Sequence, residues 1–246
     1  MRLGGRRGNH VVTDWRAAAS RVTTADYLQT DDTTITVLDE RGGSFKGRIW
    51  TYLDPLTHQV VFDATTTHER DGPAVFLANF RGKLQKDAYS GYDGLYQGGR
   101  MIEIGCWAHA RRRFVEAFMT DPSAALMIAL IQQLYQVEHE AAALDPEARR
   151  ALRQEQALPL LAKIDAERQA LGRTVLPKSP VGEAVRYLTN QWAALQRYVD
   201  DGRLAIDNNA ADAASGISGG MPPARLCRAS RATGRIERDL LTTGCC

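Results

Sequence analysis

Lysine, cysteine and long apolar runs are all scarce in this chain, and each scarcity narrows what it can be. Five of the 31 basic residues are lysine, so 31 − 5 = 26 are arginine. Arginine suits bidentate contact with phosphate, but a GC-rich genome produces the same bias, so the skew alone does not point to nucleic acid. Of four cysteines, Cys227, Cys245 and Cys246 fall in the last 20 residues and Cys106 alone lies in the body of the chain. That excludes a disulfide framework. No stretch approaches the roughly 18 apolar residues of a membrane span, and no apolar signal-peptide segment follows the basic start MRLGGRRGNH. The expectation is a cytoplasmic protein with no membrane partner. With 246 residues, 44% of them hydrophobic, the chain can bury a core, either as one large domain or as a core with an inserted subdomain.

Residues 33–66 read as a three-stranded meander: TTITVLD alternates, ERGGSFKG turns, and RIWTYLD and QVVFDATTT are rich in β-branched and aromatic residues. A short helix at GPAVFLANF, a strand around KLQKDAY, a turn at SGYDGLYQGG and a strand at MIEIGCW then suggest a mixed α/β sheet. From Ala108 to about Asp201 the pattern is helical. Val181, Val185, Leu188, Trp192, Leu195 and Val199 recur at spacings of 4, 3, 4, 3 and 4, a stripe that needs a partner surface. Ser179 and Pro180 mark the start of that helix and Gly202 its end; Asp145 and Pro146 open the helix before it. A third helix carries Leu126, Leu130, Leu134 and Val137. These stripes read as the packing core of an antiparallel helical insertion, not as a cofactor or coiled-coil site.

The segments QTDDT, LQKDAYSGYD and DGRLAIDNNAAD place Asp31, Asp87 and Asp212 in the order used by metal-dependent nucleic-acid enzymes. Such enzymes hold two divalent cations about 4 Å apart, which activate the attacking oxygen and stabilise the leaving one. The separations, 87 − 31 = 56 and 212 − 87 = 125 residues, mean that only the tertiary fold can bring the acids together. Side chains alternate along a strand, so Asp32 must point away from the face that Asp31 uses. Cys106 and His109 form a Cys-x-x-His pair, but structural zinc needs four ligands and no second pair is nearby; the pair reads as a structural feature at a strand end beside the site. Arg111, Arg112 and Arg113 point in three directions on a helix, so at most two can face one phosphate track. His58, His68 and His139 read as surface or packed residues.

The strings DGPAVFLANFRGKLQKDAYSGYDGLY, GCWAHARRRF, LPKSPVGEAVRYLTNQWAALQRY and DGRLAIDNNAA resemble transposases of the IS66-type family of bacterial insertion sequences, in order, from about Thr24 to Ala211. The resemblance implies an α/β fold with a ribonuclease-H-like mixed sheet core interrupted by an all-α insertion. Two Asp and one Glu of that core would hold two Mg²⁺ (or Mn²⁺) ions and cut and join double-stranded DNA at transposon ends. Carried onto this sequence, the first ligand is Asp31, with Asp32 in place of the family's Glu, and the second is Asp87. The third acid, a Glu three residues after Asn209 in the family, falls on Asp212, one methylene shorter. The resemblance further marks Tyr89 and Tyr92 as shapers of the site, and Asp207 and Asn208 as the opening of the helix that carries Asp212. Its partners would be transposon and target DNA, together with a homo-oligomer or an intact transposase.

After Ala211 the likeness gives way to AASGISGGMPPARLCRASRATGRIERDLLTTGCC, read as out-of-frame translation. The expected organisation is a remnant N-terminal helix region (1–23), a catalytic core (24–107), a helical insertion (108–201), a return to the core (202–211) and an aberrant, disordered tail (212–246). The functional expectation is a DNA transposase of the three-acid class, crippled by its altered third acid and tail. The alternative is a non-catalytic DNA-binding or regulatory fragment that associates with intact transposase.

Overall fold

In a computed structural model of the chain, residues 15–39, 43–65, 71–87, 90–96, 99–215 and 228–229 are described. A first helix, α1 (Trp15–Thr23), leads into the meander β1 (Tyr27–Asp39), β2 (Ser44–Asp54) and β3 (Gln59–Thr65). β1 starts at Tyr27, earlier than its alternating TTITVLD stretch suggests, so Asp31 and Asp32 lie inside the strand and not at its lip. The β2–β3 turn is closed by the Asp54 carboxylate, which accepts from the N–H groups of Leu56 and Thr57 and from the Thr57 hydroxyl. The chain then passes through α2 (Asp71–Phe76) to the other side of β1 as β4 (Gly82–Gln85). A 3₁₀ turn at Ser90–Leu95 carries it to β5 (Met101–Ile104). Gly82 opens β4 with φ of 153°, and a Cβ there would stand 2.5 Å from the Asp26 carbonyl oxygen. This close approach ties the start of β4 to the start of β1, and Lys83 N–H donates to the same carbonyl at 2.8 Å.

The strand order is β3-β2-β1-β4-β5, with β2 antiparallel to β1 and β3, and with β4 and β5 parallel to β1. A two-residue β6 (Arg228–Ala229) lies parallel to the end of β1. One face of the sheet carries Leu28, Trp50, Tyr52, Leu84 and Tyr92, packed beneath Trp15, Phe76, Leu77 and Phe80. The other face, which carries Tyr27 and Ile104, merges into the helical core.

That core is built from α3 (Trp107–Phe118), α4 (Ala125–Glu140), α5 (Pro146–Leu152), α6 (Leu158–Thr174) and α7 (Pro180–Gln196). The helix starts follow from their capping residues. Asp145 accepts from the N–H groups of Glu147 and Ala148, and Ser179 Oγ accepts from Gly182 N–H at 3.1 Å. The α7 stripe is buried at Val181, Val185, Leu188, Leu195 and Val199, with Trp192 packed against it. Two expectations need correction. The buried face of α4 is Met127, Leu130, Ile131, Leu134 and Val137, while Leu126 is 53% exposed, because it lies one residue, about 100°, off that stripe. Gly202 does not end α7, which gives way at Arg197 to a 3₁₀ turn running to Asp200. Gly202 is instead buried where the chain crosses Pro146, and a Cβ there would stand 1.8 Å from the Pro146 carbonyl oxygen.

A single π-helical turn, 153–157, joins α5 to α6 and turns Arg153 inward. Arg153 is fully buried. It pairs with Glu138 at 2.6 Å and donates to the carbonyls of Tyr198, Asp201 and Leu204 at 2.9, 3.1 and 2.9 Å. A buried guanidinium is tolerable only when its donors are met, and here they are met by the segment that returns the chain to the sheet. That segment ends in α8 (Asn209–Ala214), packed on β1 and β2. Asp212 therefore lies within a helix and not in a disordered tail. Of the remaining tail, all but residues 215 and 228–229 lie outside the described residues, Cys227, Cys245 and Cys246 among them. No helix among the described residues is long and apolar enough to cross a membrane.

Candidate active site

The register of the two central parallel strands brings the approaches to the first two acids side by side. Leu28 pairs with Leu84 and Gln29 with Gln85; Asp31 lies two residues further along β1, and Asp87 two residues past the end of β4. Alternation puts Asp31 on the face toward α3 and α8; Asp87 and Asp212 lie close to it there, both acting on Asp31 and on His109 of α3, with α8 packed on β1 and β2. Asp32, on the opposite face, is ion-paired with Arg48.

The electrostatics of Asp31 register this convergence. Burial, then repulsion from Asp212, Asp87 and Asp32, raises its carboxyl to about 7, against a smaller opposing effect of the Asp32 backbone N–H. Carboxylates crowded together cannot all ionise freely without a compensating cation. Thr51, the cross-strand partner of Asp31, keeps a buried hydroxyl with no hydrogen-bond partner. The donor set is oxygen-only, which is the chemistry Mg²⁺ and Mn²⁺ prefer, and its surplus negative charge fits such an ion. Among the described residues, however, no three His, Cys, Asp or Glu side chains stand close enough to close around one ion.

Around the acids, the residues named from sequence divide. Cys106 is buried, with its thiol pushed up to about 11 by burial, and the Asn208 and His109 backbone N–H groups only partly offset this. His109 Nδ1 lies 3.1 Å from Cys106 Sγ. The imidazole is held below its usual range, by burial first, against the raising fields of Asp87 and Asp212; His109 therefore stands neutral beside two of the acids. Asp207, one residue before the N-cap of α8, accepts from Asn209 N–H at 3.2 Å and from Tyr135 Oη at 2.9 Å. Asn208 acts differently, its Nδ2 donating to the Thr30 carbonyl at 2.9 Å and so anchoring the helix start to β1. Tyr92 lies on the opposite face of the sheet, edge-on to Trp50, with its hydroxyl 3.0 Å from Thr30 Oγ1. It braces β1 from behind. Tyr89 lies outside the described residues. Arg111 and Arg112 face a cleft between α3 and α4, whereas Arg113 stacks on Tyr187 of α7 at 4.3 Å.

Residues that the sequence did not single out hold the acids in place. Tyr27 Oη donates to Gln85 Oε1. Gln29 Nε2 donates to Tyr27 Oη, Gln85 Oε1 and the Asp207 carbonyl, each at 3.0 Å. Gln85 Nε2 reaches the carbonyls of Gly105 and Ala205 at 3.0 and 2.9 Å. This buried polar layer lies two residues below Asp31 and Asp87 and joins both strands to the approach of α8. The available signal was a polar residue, Gln29 or Gln85, two positions before each acid on the same strand face. Lys86, fully buried on the opposite face, pairs with Glu103 at 3.2 Å.

The sequence model of the Transposase IS66 family matches residues 8–214, wider at both ends than the resemblance read from 24 to 211, and takes in Asp212. The uncharacterized protein y4qI of Sinorhizobium fredii is similar, with 31% identity over 207 residues, 77% of this chain and 38% of that protein. The uncharacterized protein y4hP of the same organism is 29% identical over 224 residues, 79% of this chain and 40% of its own length. The chain thus spans about two fifths of the length of these relatives. With most of its length matched and the acidic neighbourhood inside the match, the chain belongs to the IS66 transposase family.

Proposed function

We propose that Asp31, Asp87 and Asp212 form the cation-holding centre of a three-acid (DDE-class) DNA transposase core that cleaves and joins double-stranded DNA, its rate reduced by the shortened third acid. The observation that carries this reading is the convergence of three acids far apart in sequence, with Asp212 and Asp87 both raising the Asp31 carboxyl. The strand order, with β2 as the antiparallel member of the sheet, supports a ribonuclease-H-like core made of residues 24–107 and the return segment, with 108–201 as the helical insertion. Mg²⁺ or Mn²⁺ ions shared among these carboxylates would supply activation of an attacking water or 3′-hydroxyl and stabilisation of the leaving oxygen. The chain's own residues prepare the ground for this. β1 carries Asp31, β4 leads into Asp87, α8 carries Asp212, and Asn208 pins that helix to β1. His109, neutral beside Asp87 and Asp212, adds no charge to compete with a cation.

The test is nicking of supercoiled DNA by the purified chain with Mg²⁺ or Mn²⁺, beside Asp87→Ala. Nicking by the parent that disappears in the variant supports the reading. Absence of nicking by folded protein favours a second reading, a DNA-binding or regulatory fragment that pairs with intact transposase. That alternative draws on the open spacing of the ligand-type side chains among the described residues, and co-purification with a full-length relative tests it.

A further inference from the structure

Between α3 and α4, beside the start of α8, opens a cleft of about 430 Å³ lined by Arg111, Arg112, Val115, Gln132, Tyr135 and Asn209. Its two arginines differ from the other well-placed arginines of the helical region. Arg153 and Arg168 each have a carboxylate partner, and Arg113 lies on an aromatic ring. Neither Arg111 nor Arg112 is in an ion pair among the described residues, and Arg111 Nε is buried with no acceptor. An unmet buried donor is costly, a cost that an incoming acceptor offsets.

Asp207, the carboxylate held by the lining residues Tyr135 and Asn209, is already engaged by the Tyr135 hydroxyl and the Asn209 amide. The uncommitted charge of the cleft is therefore positive and comes in guanidinium form, which matches the paired oxygens of a phosphate. Asn209 also lies on α8 one turn before Asp212, 212 − 209 = 3 residues, so the cleft adjoins the acids. We infer that this α3–α4 cleft seats a backbone phosphate of the bound DNA strand, held by Arg111 and Arg112, next to the phosphodiester presented to Asp31, Asp87 and Asp212. The identity of that neighbouring phosphodiester rests on the function proposed above; the binding itself does not.

The experiment is fluorescence anisotropy of a labelled duplex oligonucleotide with the full chain, in EDTA, across a salt series. Each arginine–phosphate contact contributes roughly 0.9 to the slope of log affinity against log salt. The Arg111→Gln/Arg112→Gln pair should therefore weaken binding about tenfold or more and lower the slope magnitude by between one and two. Arg112→Gln alone, at an exposed side chain that folding does not need, should lower it by about one. Val115→Glu, which keeps both arginines but places an anion in the cleft, should weaken binding similarly. Arg186→Gln, at an exposed residue paired with Glu183 on α7, is the control and should change neither quantity. Variants that bind with the parent's affinity and slope, or that lose no more than Arg186→Gln, overturn the inference. So does saturable binding of inorganic pyrophosphate that is lost in Arg112→Gln while duplex affinity is unchanged, since that describes a free-anion site. Because EDTA removes the cations, failure of the nicking assay and failure of this one are separate results.

Discussion

At the scale of single residues, Asp31 shows how a site can oppose the stability of the fold that carries it. Its folded carboxyl, raised to about 7 from an ordinary 3.8 by burial and by Asp212 and Asp87, keeps its proton between those values while the unfolded chain gives its proton up. The folded state then binds more protons, so stability falls as pH rises from about 4 to about 7, and the deficit is complete above that. Asp31→Asn abolishes the charge. In metal-free buffer at pH 8 it should stabilise the chain by about 1–2 kcal/mol, a figure discounted for the partial exposure of the side chain, and at pH 4 it should have almost no effect. Urea unfolding at the two pH values checks this, and equal effects at both would refute the electrostatic account. That Asp31 and Asp87 meet in the fold was legible in the sequence because their flanking residues carry the resemblance. The opposite placement of Tyr92 was not, since a tyrosine five residues past Asp87 reaches the far side of the sheet only through the 3₁₀ turn.

At the scale of elements, the local chemistry of the chain was readable where it acts locally. Ser179 and Asp145 start helices through hydrogen bonds to amides two or three residues away, and the β1–β3 meander follows from alternation. Features that depend on distant partners were hidden. Gly202 looked like a helix end because its contact, Pro146, is 56 residues away, and Gln85 looked like an ordinary strand polar residue because its acceptors are Gly105 and Ala205. That glutamine lies at the junction of β4, β1 and the approach to α8. Gln85→Leu strands one buried and one partly buried carbonyl and removes the acceptor of the Tyr27 hydroxyl, so it should cost about 2–4 kcal/mol. It should also speed hydrogen exchange of amides 205–212 more than that of α4 or α6. Uniformly accelerated exchange across all helices would show that Gln85 serves general stability and does not hold the third acid's helix.

At the scale of the whole molecule, the fastenings explain how nearly a hundred residues of helix can lie between β5 and α8 without scattering the acidic cluster. The helical segment leaves from the end of β5 and returns beside β1 and β4. Both crossings are fastened: Gly105 N–H donates to the Ala194 carbonyl at 3.0 Å, Trp107 N–H to the Ile206 carbonyl at 3.1 Å, and Arg153 clamps residues 198–204. The third acid therefore arrives in a fixed pose whatever its side-chain length, and the shortfall of one methylene at Asp212 cannot be made up by sliding α8. Misplacement of a reacting group by about 1 Å can cost on the order of 100-fold in rate. Asp212→Glu, which restores the length the family resemblance implies, should raise metal-dependent nicking roughly 10- to 100-fold over the parent, and Asp212→Asn should abolish it. Since Asp212 is partly exposed near the surface end of α8, the longer side chain can be accommodated without repacking, and thermal melts of the two proteins should agree. If nicking is no faster in Asp212→Glu than in the parent although both are folded, then the length of the third acid does not limit this chain, and its shortened carboxylate would have to be reckoned a working ligand.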